Sequence, residues 1–275
     1  MGWSRLTTLI FVKLGGSIIT DKLQPSTARP QVIRRLAREV QGVRVARPDL
    51  RLVLGHGSGS FGHVAGIRYH VHQGIAENGD WWGYAETGAA AARLNRIVAD
   101  LFLQAGVPIV SVQPSACIRC RAGKLVAMET YAIGQALGHG LVPLVYGDVA
   151  FDVQQGCAIV STENVLAYLA DQLRPARMVM VGQVHGVFDR DPLVDPAAEL
   201  IPLITPDTFG RLAASLGGSH GTDVTGGMLS KVREMVDLVA RGVTQRVHLI
   251  SGWHEGALAR VLLDAEVTEG TLIIA

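Results

Sequence analysis

Along the chain, short runs of branched apolar residues alternate with longer stretches in which apolar positions recur every three or four residues. The short runs read as strands and the longer stretches as amphipathic helices, and their alternation is the pattern of βαβ units on a parallel sheet. A first strand is predicted over Leu9–Leu14, then a helix over Pro30–Ala46 and a second strand over Leu50–Leu54. An alanine-rich helix over Trp82–Ala105 leads to a strand over Pro108–Val112. Leu125 and Val126 precede a helix over Glu129–Leu137, and Leu141–Tyr146 reads as a buried strand ending in the turn Gly147-Asp148. Ser161 is placed to cap a helix running to Leu173. A strand over Met178–Val181, a helix over Gly227–Arg241 and strands over Val247–Ile250 and Thr271–Ile274 complete the pattern. No internal repeat or low-complexity linker interrupts it, so residues 1–275 read as one domain with a soft division into lobes near Val160.

Composition narrows the class. Hydrophobic residues make up 48% of the 275 and charged residues 18%, which suits a buried sheet and leaves little room for a disordered tail. The formal net charge is +1 with the basic residues dispersed, so no footprint for nucleic acid or an anionic membrane is expected. Apolar runs such as Leu141–Tyr146 and Arg177–Val181 are of strand length, far short of a membrane span. Only Met1–Thr8 precede the first strand, without a secretory pattern. The three cysteines, Cys117, Cys120 and Cys157, are too few and too unevenly spaced for a disulfide framework. A cytoplasmic protein is expected.

The candidate chemistry lies in glycine-rich loops. Lys13-Leu-Gly-Gly-Ser17 ends the first strand, where paired glycines let backbone N–H groups approach an anion and the lysine adds a point charge. Taken alone, the same pair also reads as a tight turn. No GxxxxGK[ST] motif occurs, which disfavours a P-loop NTPase. The second strand runs into Gly55-His-Gly-Ser-Gly-Ser-Phe-Gly-His63, in which Gly57, Gly59 and Gly62 satisfy the GxGxxG dinucleotide fingerprint. Lys22 lies just beyond the first loop, and Asp223-Val-Thr-Gly-Gly-Met-Leu-Ser-Lys231 puts two glycines at a helix start with a lysine one turn in, a ready anion site.

Together with Gly147-Asp-Val-Ala-Phe-Asp152 and Val187-Phe-Asp-Arg-Asp-Pro192, these motifs resemble, in order and over nearly the whole chain, the amino acid kinase superfamily, and within it the isopentenyl phosphate kinases. The resemblance implies an open αβα sandwich with a mainly parallel central sheet in two lobes, usually a homodimer. It places the phosphoryl acceptor over residues 1–160 and ATP over 161–275, and implies transfer of the ATP γ-phosphoryl group to the small monophosphate isopentenyl phosphate, with Mg²⁺ held mainly by the ATP phosphates. On this pattern the phosphate-loop lysine falls on Lys13, the transition-state lysine on Lys22, the nucleotide-side lysine on Lys231 and the acceptor histidine on His63. ATP contacts fall on Lys13, Leu14, Gly15, Gly16, Ser17, Gly59, His185, Asp189, Gly227 and Lys231. Acceptor contacts fall on Gly57, Ser58, Gly59, His63 and Thr162. Such a reaction needs alignment and charge neutralisation and no general base, because the acceptor phosphate is already an oxyanion.

Three departures from the pattern bear on the site. In Ser161-Thr-Glu-Asn164, Thr162 takes the place of a small residue and Glu163 that of an aspartate organising the lysines; Glu163 also reads as a helix-start acid helped by the macrodipole. Ser58 stands where the loop usually carries glycine, so its backbone is expected to follow the loop without glycine's freedom. His185 stands where an aspartate is common, and Asp189 reads equally as a ribose ligand or as part of the Asp191-Pro192 turn. Asp148 and Asp152 read as backbone caps more readily than as a metal pair. The aromatics Tyr69, Trp81, Trp82 and Tyr84 read first as packing or a dimer contact. Beside the kinase reading stand a fosfomycin-type phosphonate kinase, an NAD-dependent oxidoreductase using Gly57, Gly59, Gly62 and Glu77, and a non-catalytic nucleotide-binding module.

Overall fold

Parity along the first strand, Leu9–Leu14 (β1), decides the layering of the molecule. Ile10, Val12 and Leu14 enter one apolar cluster while Phe11 enters a second, as a strand covered on both faces requires. The computed structural model describes residues 8–75, 79–216 and 227–275, with the side chains at 63–65, 67 and 214–216 outside that set.

From β1 the chain makes one helical turn, Gly16–Ile19 (α1), then Pro30–Ala46 (α2), Arg51–His56 (β2), Gly59–Arg68 (α3) and Trp82–Gln104 (α4). Ile109–Ser111 (β3), Pro114–Cys117 (α5), Ile118–Arg121 (β4), Lys124–Met128 (β5) and Tyr131–Gly138 (α6) follow, then Val142–Tyr146 (β6), Asp148–Asp152 (β7) and Gly156–Val160 (β8). The remainder comprises Thr162–Leu173 (α7), Arg177–Gly182 (β9), Val187–Phe188 (β10), Leu200–Ile201 (β11), Leu203–Ile204 (β12), Pro206–Leu216 (α8), Gly227–Ala240 (α9), Arg246–Ser251 (β13), Ala257–Leu263 (α10) and Thr271–Ile274 (β14).

Eight strands form the main sheet in the order β12-β14-β13-β9-β1-β2-β6-β3, and every neighbouring pair is parallel except β13 with β14. Helices α2, α4 and α10 cover one face through Ile33, Leu36, Leu94, Val98 and Val261. Helices α6, α7 and α9 cover the other through Ile133, Leu166, Leu169, Met235 and Val239. This is the expected open αβα sandwich. From β1 the chain lays down β2, then β3 at the edge and β6 between them, and returns to the other side of β1 with β9 and β13. The order therefore reverses between β1 and β9, and a crevice at the carboxyl ends of those strands is the ordinary ligand position in such a sheet.

The structure adds elements that periodicity does not predict. A second sheet, β5-β4-β7-β8, is made of strands of four or five residues whose alternation is too short to stand out. Residues 59–68 form a helix despite three glycines, because tertiary packing outweighs a propensity penalty of about 1 kcal/mol per glycine. Helices α8 and α10 were likewise not anticipated. Ser161 caps α7 as expected, its Oγ accepting from Asn164 N at 3.1 Å.

Candidate active site

The two glycine loops meet at the carboxyl end of the sheet. Gly15 N donates to Val181 O at 2.8 Å, tying the end of β1 to β9 across the reversal point. A Cβ on Gly16 would stand 2.5 Å from Gly59 N, and one on Gly57 would stand 2.9 Å from Gly16 N, so the loops pass backbone against backbone where only glycine fits. Thr20 fastens them: its Oγ1 donates to Gly16 O at 2.7 Å and accepts from Ser60 N at 3.0 Å. Gly59 carries the left-handed φ of +50°, the conformation that glycine adopts without strain. The expected difficulty at Ser58 therefore does not arise, since the positive φ falls one residue later.

His56, at the end of β2, is fully buried and holds this corner from beneath. Its Nδ1 lies 3.1 Å from Gly57 O, its Nε2 lies 3.2 Å from Asn95 Nδ2, and its ring stacks on Tyr146 with centroids 5.5 Å apart. Burial pushes the imidazole down to about 4 against the help of the Gly57 carbonyl, so the ring is neutral at pH 7. Thr162 Oγ1 donates to His56 O at 2.7 Å. Thr162 is 1% exposed, and its hydroxyl supports the loop from within. Its methyl group occupies the space left by Gly55, where a Cβ would lie 2.7 Å away.

Lys13 projects on the Phe11 face of β1, toward α7 and α9, and pairs there with Glu163 in the first turn of α7. Both side chains are nearly buried, at 12% and 9% exposure. Burial alone would raise the Glu163 carboxyl; the charge and hydrogen bond of Lys13, joined by the charge of Lys231, outweigh it and hold the carboxyl below its usual range. Lys231 thus belongs to the same cluster, from α9, whose first residue is Gly227. Glu234, a residue to which the sequence did not point, stands on the same helix and accepts from Asn164 Nδ2 at 3.2 Å. Burial, with repulsion from Glu163, pushes its carboxyl up despite that hydrogen bond.

The other anticipated residues separate into those near this corner and those away from it. Lys22 is exposed on the turn after α1, and that turn is tied to the start of α3 by Ser26 N to Ser60 O at 3.2 Å and Thr27 N to Ser60 Oγ at 3.3 Å. His63 lies one turn into α3; its side chain is outside the described residues, as are Glu77 and the lead-in Asp223–Gly226. The Asp189 carboxylate is engaged by its neighbours in the chain. Its Oδ1 accepts from Glu199 N at 2.8 Å and its Oδ2 pairs with Arg190 at 2.8 Å, bracing the β10–β11 hairpin. His185 converges with His254 and Glu269. Asp148 accepts from Ser115 N and Val149 N, and Asp152 from four backbone N–H groups, so both act as backbone caps. Trp81, Tyr84 and Phe151 form a part-exposed aromatic group with centroids 4.7 to 5.7 Å apart.

A doubly covered parallel sheet with apposed glycine loops, a buried lysine held by a carboxylate and a second lysine from a facing helix define a phosphoryl-transfer protein that lacks a P-loop. A sequence model of the Amino acid kinase family matches residues 8–251. The isopentenyl phosphate kinase of Methanothermobacter thermautotrophicus is 36% identical over 96% of this chain and 98% of its own length. That of Haloferax volcanii is 35% identical over 85% of this chain and 89% of its own. An X-ray structure of an isopentenyl phosphate kinase superposes with a TM-score of 0.81 at 31% identity, covering 96% of this chain and 100% of the other. N-acetylglutamate synthase from Neisseria gonorrhoeae, at 16% identity and a TM-score of 0.70 over 98% of this chain and 60% of that one, shares the fold alone. The chain belongs to the amino acid kinase family and, within it, to the isopentenyl phosphate kinases.

Proposed function

We infer that this chain transfers the γ-phosphoryl group of ATP to isopentenyl phosphate, giving isopentenyl diphosphate and ADP. The observation that carries this reading is similarity to isopentenyl phosphate kinases over nearly the full length of both chains. The site chemistry supports it. An attacking phosphate oxygen needs no base, so the work left to the protein is to align two polyanions and neutralise their charge.

In this reading Lys13, kept charged and aimed by Glu163, and Lys231 neutralise the transferring phosphoryl group and its leaving oxygen. Lys22, carried on the turn beside α3, closes on the same group. The N–H groups of Gly16, Ser17, Ser58 and Gly59, with the N-terminus of α3, cradle the phosphates, and His63 donates to the acceptor phosphate. Gly227 opens the helix on the nucleotide side. The acceptor lies over residues 1–160 and the nucleotide over 161–275, and a cytoplasmic homodimer completes the proposal on the family's pattern.

Mg²⁺ fits this arrangement as an ion carried on ATP. Glu163, the carboxylate at the loops, is committed to Lys13, and Asp148 and Asp152 are spent on backbone N–H groups; bound to ATP, Mg²⁺ would offset charge on the β and γ oxygens. The oxidoreductase reading is not favoured. The close backbone approach that a dinucleotide fingerprint reserves for a pyrophosphate is taken here by the first glycine loop, at Gly16 against Gly59.

The test incubates purified protein with ATP and Mg²⁺ against isopentenyl phosphate, dimethylallyl phosphate and fosfomycin in turn. Acceptor-dependent ADP and isopentenyl diphosphate are expected. ADP formed only with fosfomycin, or no acceptor-dependent ADP at all, overturns the assignment.

A further inference from the structure

At the carboxyl edge of the main sheet, beyond β9 and β13, three side chains from separate segments converge, one of them a residue that the family pattern puts among the ATP contacts. They are His185 from the loop after β9, His254 after β13 and Glu269 just before β14, and their ligand atoms lie within 4.8 Å of one another. His185 Nε2 and His254 Nδ1 each stand 3.9 Å from Glu269 Oε1, beyond hydrogen-bonding distance. The two rings are tilted at 45° to each other with centroids 4.4 Å apart.

Two further features make the group more than a surface ion pair. The second oxygen of Glu269 is held by Arg260, with Nη2 at 2.8 Å and Nε at 3.0 Å from Oε2. Both donors converge on this one oxygen, which anchors the carboxylate and leaves Oε1 to the two imidazoles, as an outer residue positions a ligating carboxylate. The other ring nitrogen of His185, Nδ1, is buried with no hydrogen-bond partner among the described residues, a costly state for a polar atom.

We propose that His185, His254 and Glu269 form a binding site for a borderline divalent transition metal, Zn²⁺ foremost, separate from the Mg²⁺ that accompanies ATP. Two imidazoles and one carboxylate are the donor set of three-ligand zinc sites, which leave a fourth position to water or another ligand. Bond lengths near 2.0–2.2 Å place tetrahedral ligand atoms about 3.3 Å apart. The 3.9 Å separations therefore need to contract by roughly half an ångström, within the reach of side-chain rotation because His254 is 53% exposed. Hard, strongly hydrated Mg²⁺ prefers an all-oxygen shell and is excluded by the same donor set.

The experiment uses the full chain, stripped with a chelator and free of ATP and acceptor, so its outcome is independent of the kinase assignment. Co²⁺ is titrated and read by its visible d–d absorption, followed by Zn²⁺ in competition. One equivalent with the intense tetrahedral-type spectrum is expected, displaced by Zn²⁺ and not by Mg²⁺. His254→Ala and, separately, Glu269→Gln are expected to weaken binding about ten-fold or more. His254→Ala is the decisive variant because it removes an exposed side chain, and an unchanged urea midpoint confirms that its fold is intact. No saturable Co²⁺ binding overturns the proposal. So does binding that is undiminished in both His254→Ala and His185→Ala, which would place the metal at Cys117 and Cys120 or at His70 and His72.

Discussion

Replacing Glu163 by glutamine tests the electrostatic centre of the site with almost no change of shape. The variant keeps the volume and leaves the Lys13 ammonium at 12% exposure without its counter-charge and within the influence of Lys231. Breaking a fully buried pair costs about 3–5 kcal/mol and an exposed one at most about 1; with roughly a tenth of each side chain still wet, a loss of about 2–4 kcal/mol is expected at pH 7. The assay is urea unfolding of wild type and variant, each with and without excess ATP. Because ATP phosphates supply the missing anionic charge, ATP is expected to stabilise the variant more than the wild type. The pH dependence has a definite sign. The folded carboxyl titrates below its usual range, so the contribution of the pair is complete above the unfolded carboxyl value and is lost as pH falls through the lower folded value. The wild-type and variant curves are therefore expected to converge in acid. A loss below about 1 kcal/mol without ATP, or a loss unaffected by ATP, refutes the reasoning.

Other outcomes follow from neighbouring observations. Gly59→Ala places a Cβ 2.2 Å from Thr20 Oγ1 and 2.8 Å from Gly16 O on a residue with φ of +50°; about 1–3 kcal/mol of backbone strain is expected, read as a lower urea midpoint with a raised KM for the acceptor. His63→Ala is expected to lower kcat/KM for the monophosphate by about 10²–10³, the loss typical of one donor to a reacting oxyanion, with circular dichroism unchanged; full turnover removes His63 from the mechanism. His56 and His248 are both buried and pushed down to about 4 from 6.5. The unfolded chain binds more protons between those values, so stability falls as pH drops from 6.5 toward 4, by up to about 1.4 kcal/mol per unit for each histidine. A denaturation series across that window that shows no slope contradicts their burial as neutral rings.

Much of the architecture was legible in residue order. Continuous apolar runs at Leu9–Leu14, Leu141–Tyr146 and Met178–Val181 mark strands buried on both faces, and the amphipathic period of Pro30–Ala46 marks a covering helix; these are local signals and the structure reproduces them. Lys13, the paired glycines and the Ser161 cap were legible for the same reason, since each depends on neighbours within a few residues. The four-stranded sheet was not, because strands of four or five residues carry almost no period and are defined by partners far along the chain. The glycines of Gly55–His63 read as a loop, and from Gly59 onward the chain is helical.

What the sequence determined by itself is therefore the fold class and the family, which rest on apolar period and on ordered motifs. The tertiary structure alone decided who meets whom. Parity on β1 sends Lys13 to the face of α7 and α9, where Glu163, 150 residues away, becomes its partner. The positive φ falls on Gly59 and spares Ser58, Thr162 turns inward to His56, and His185 converges with His254 and Glu269. Charge pairing and ligand convergence depend on distances in space, and a sequence records only distances along the chain.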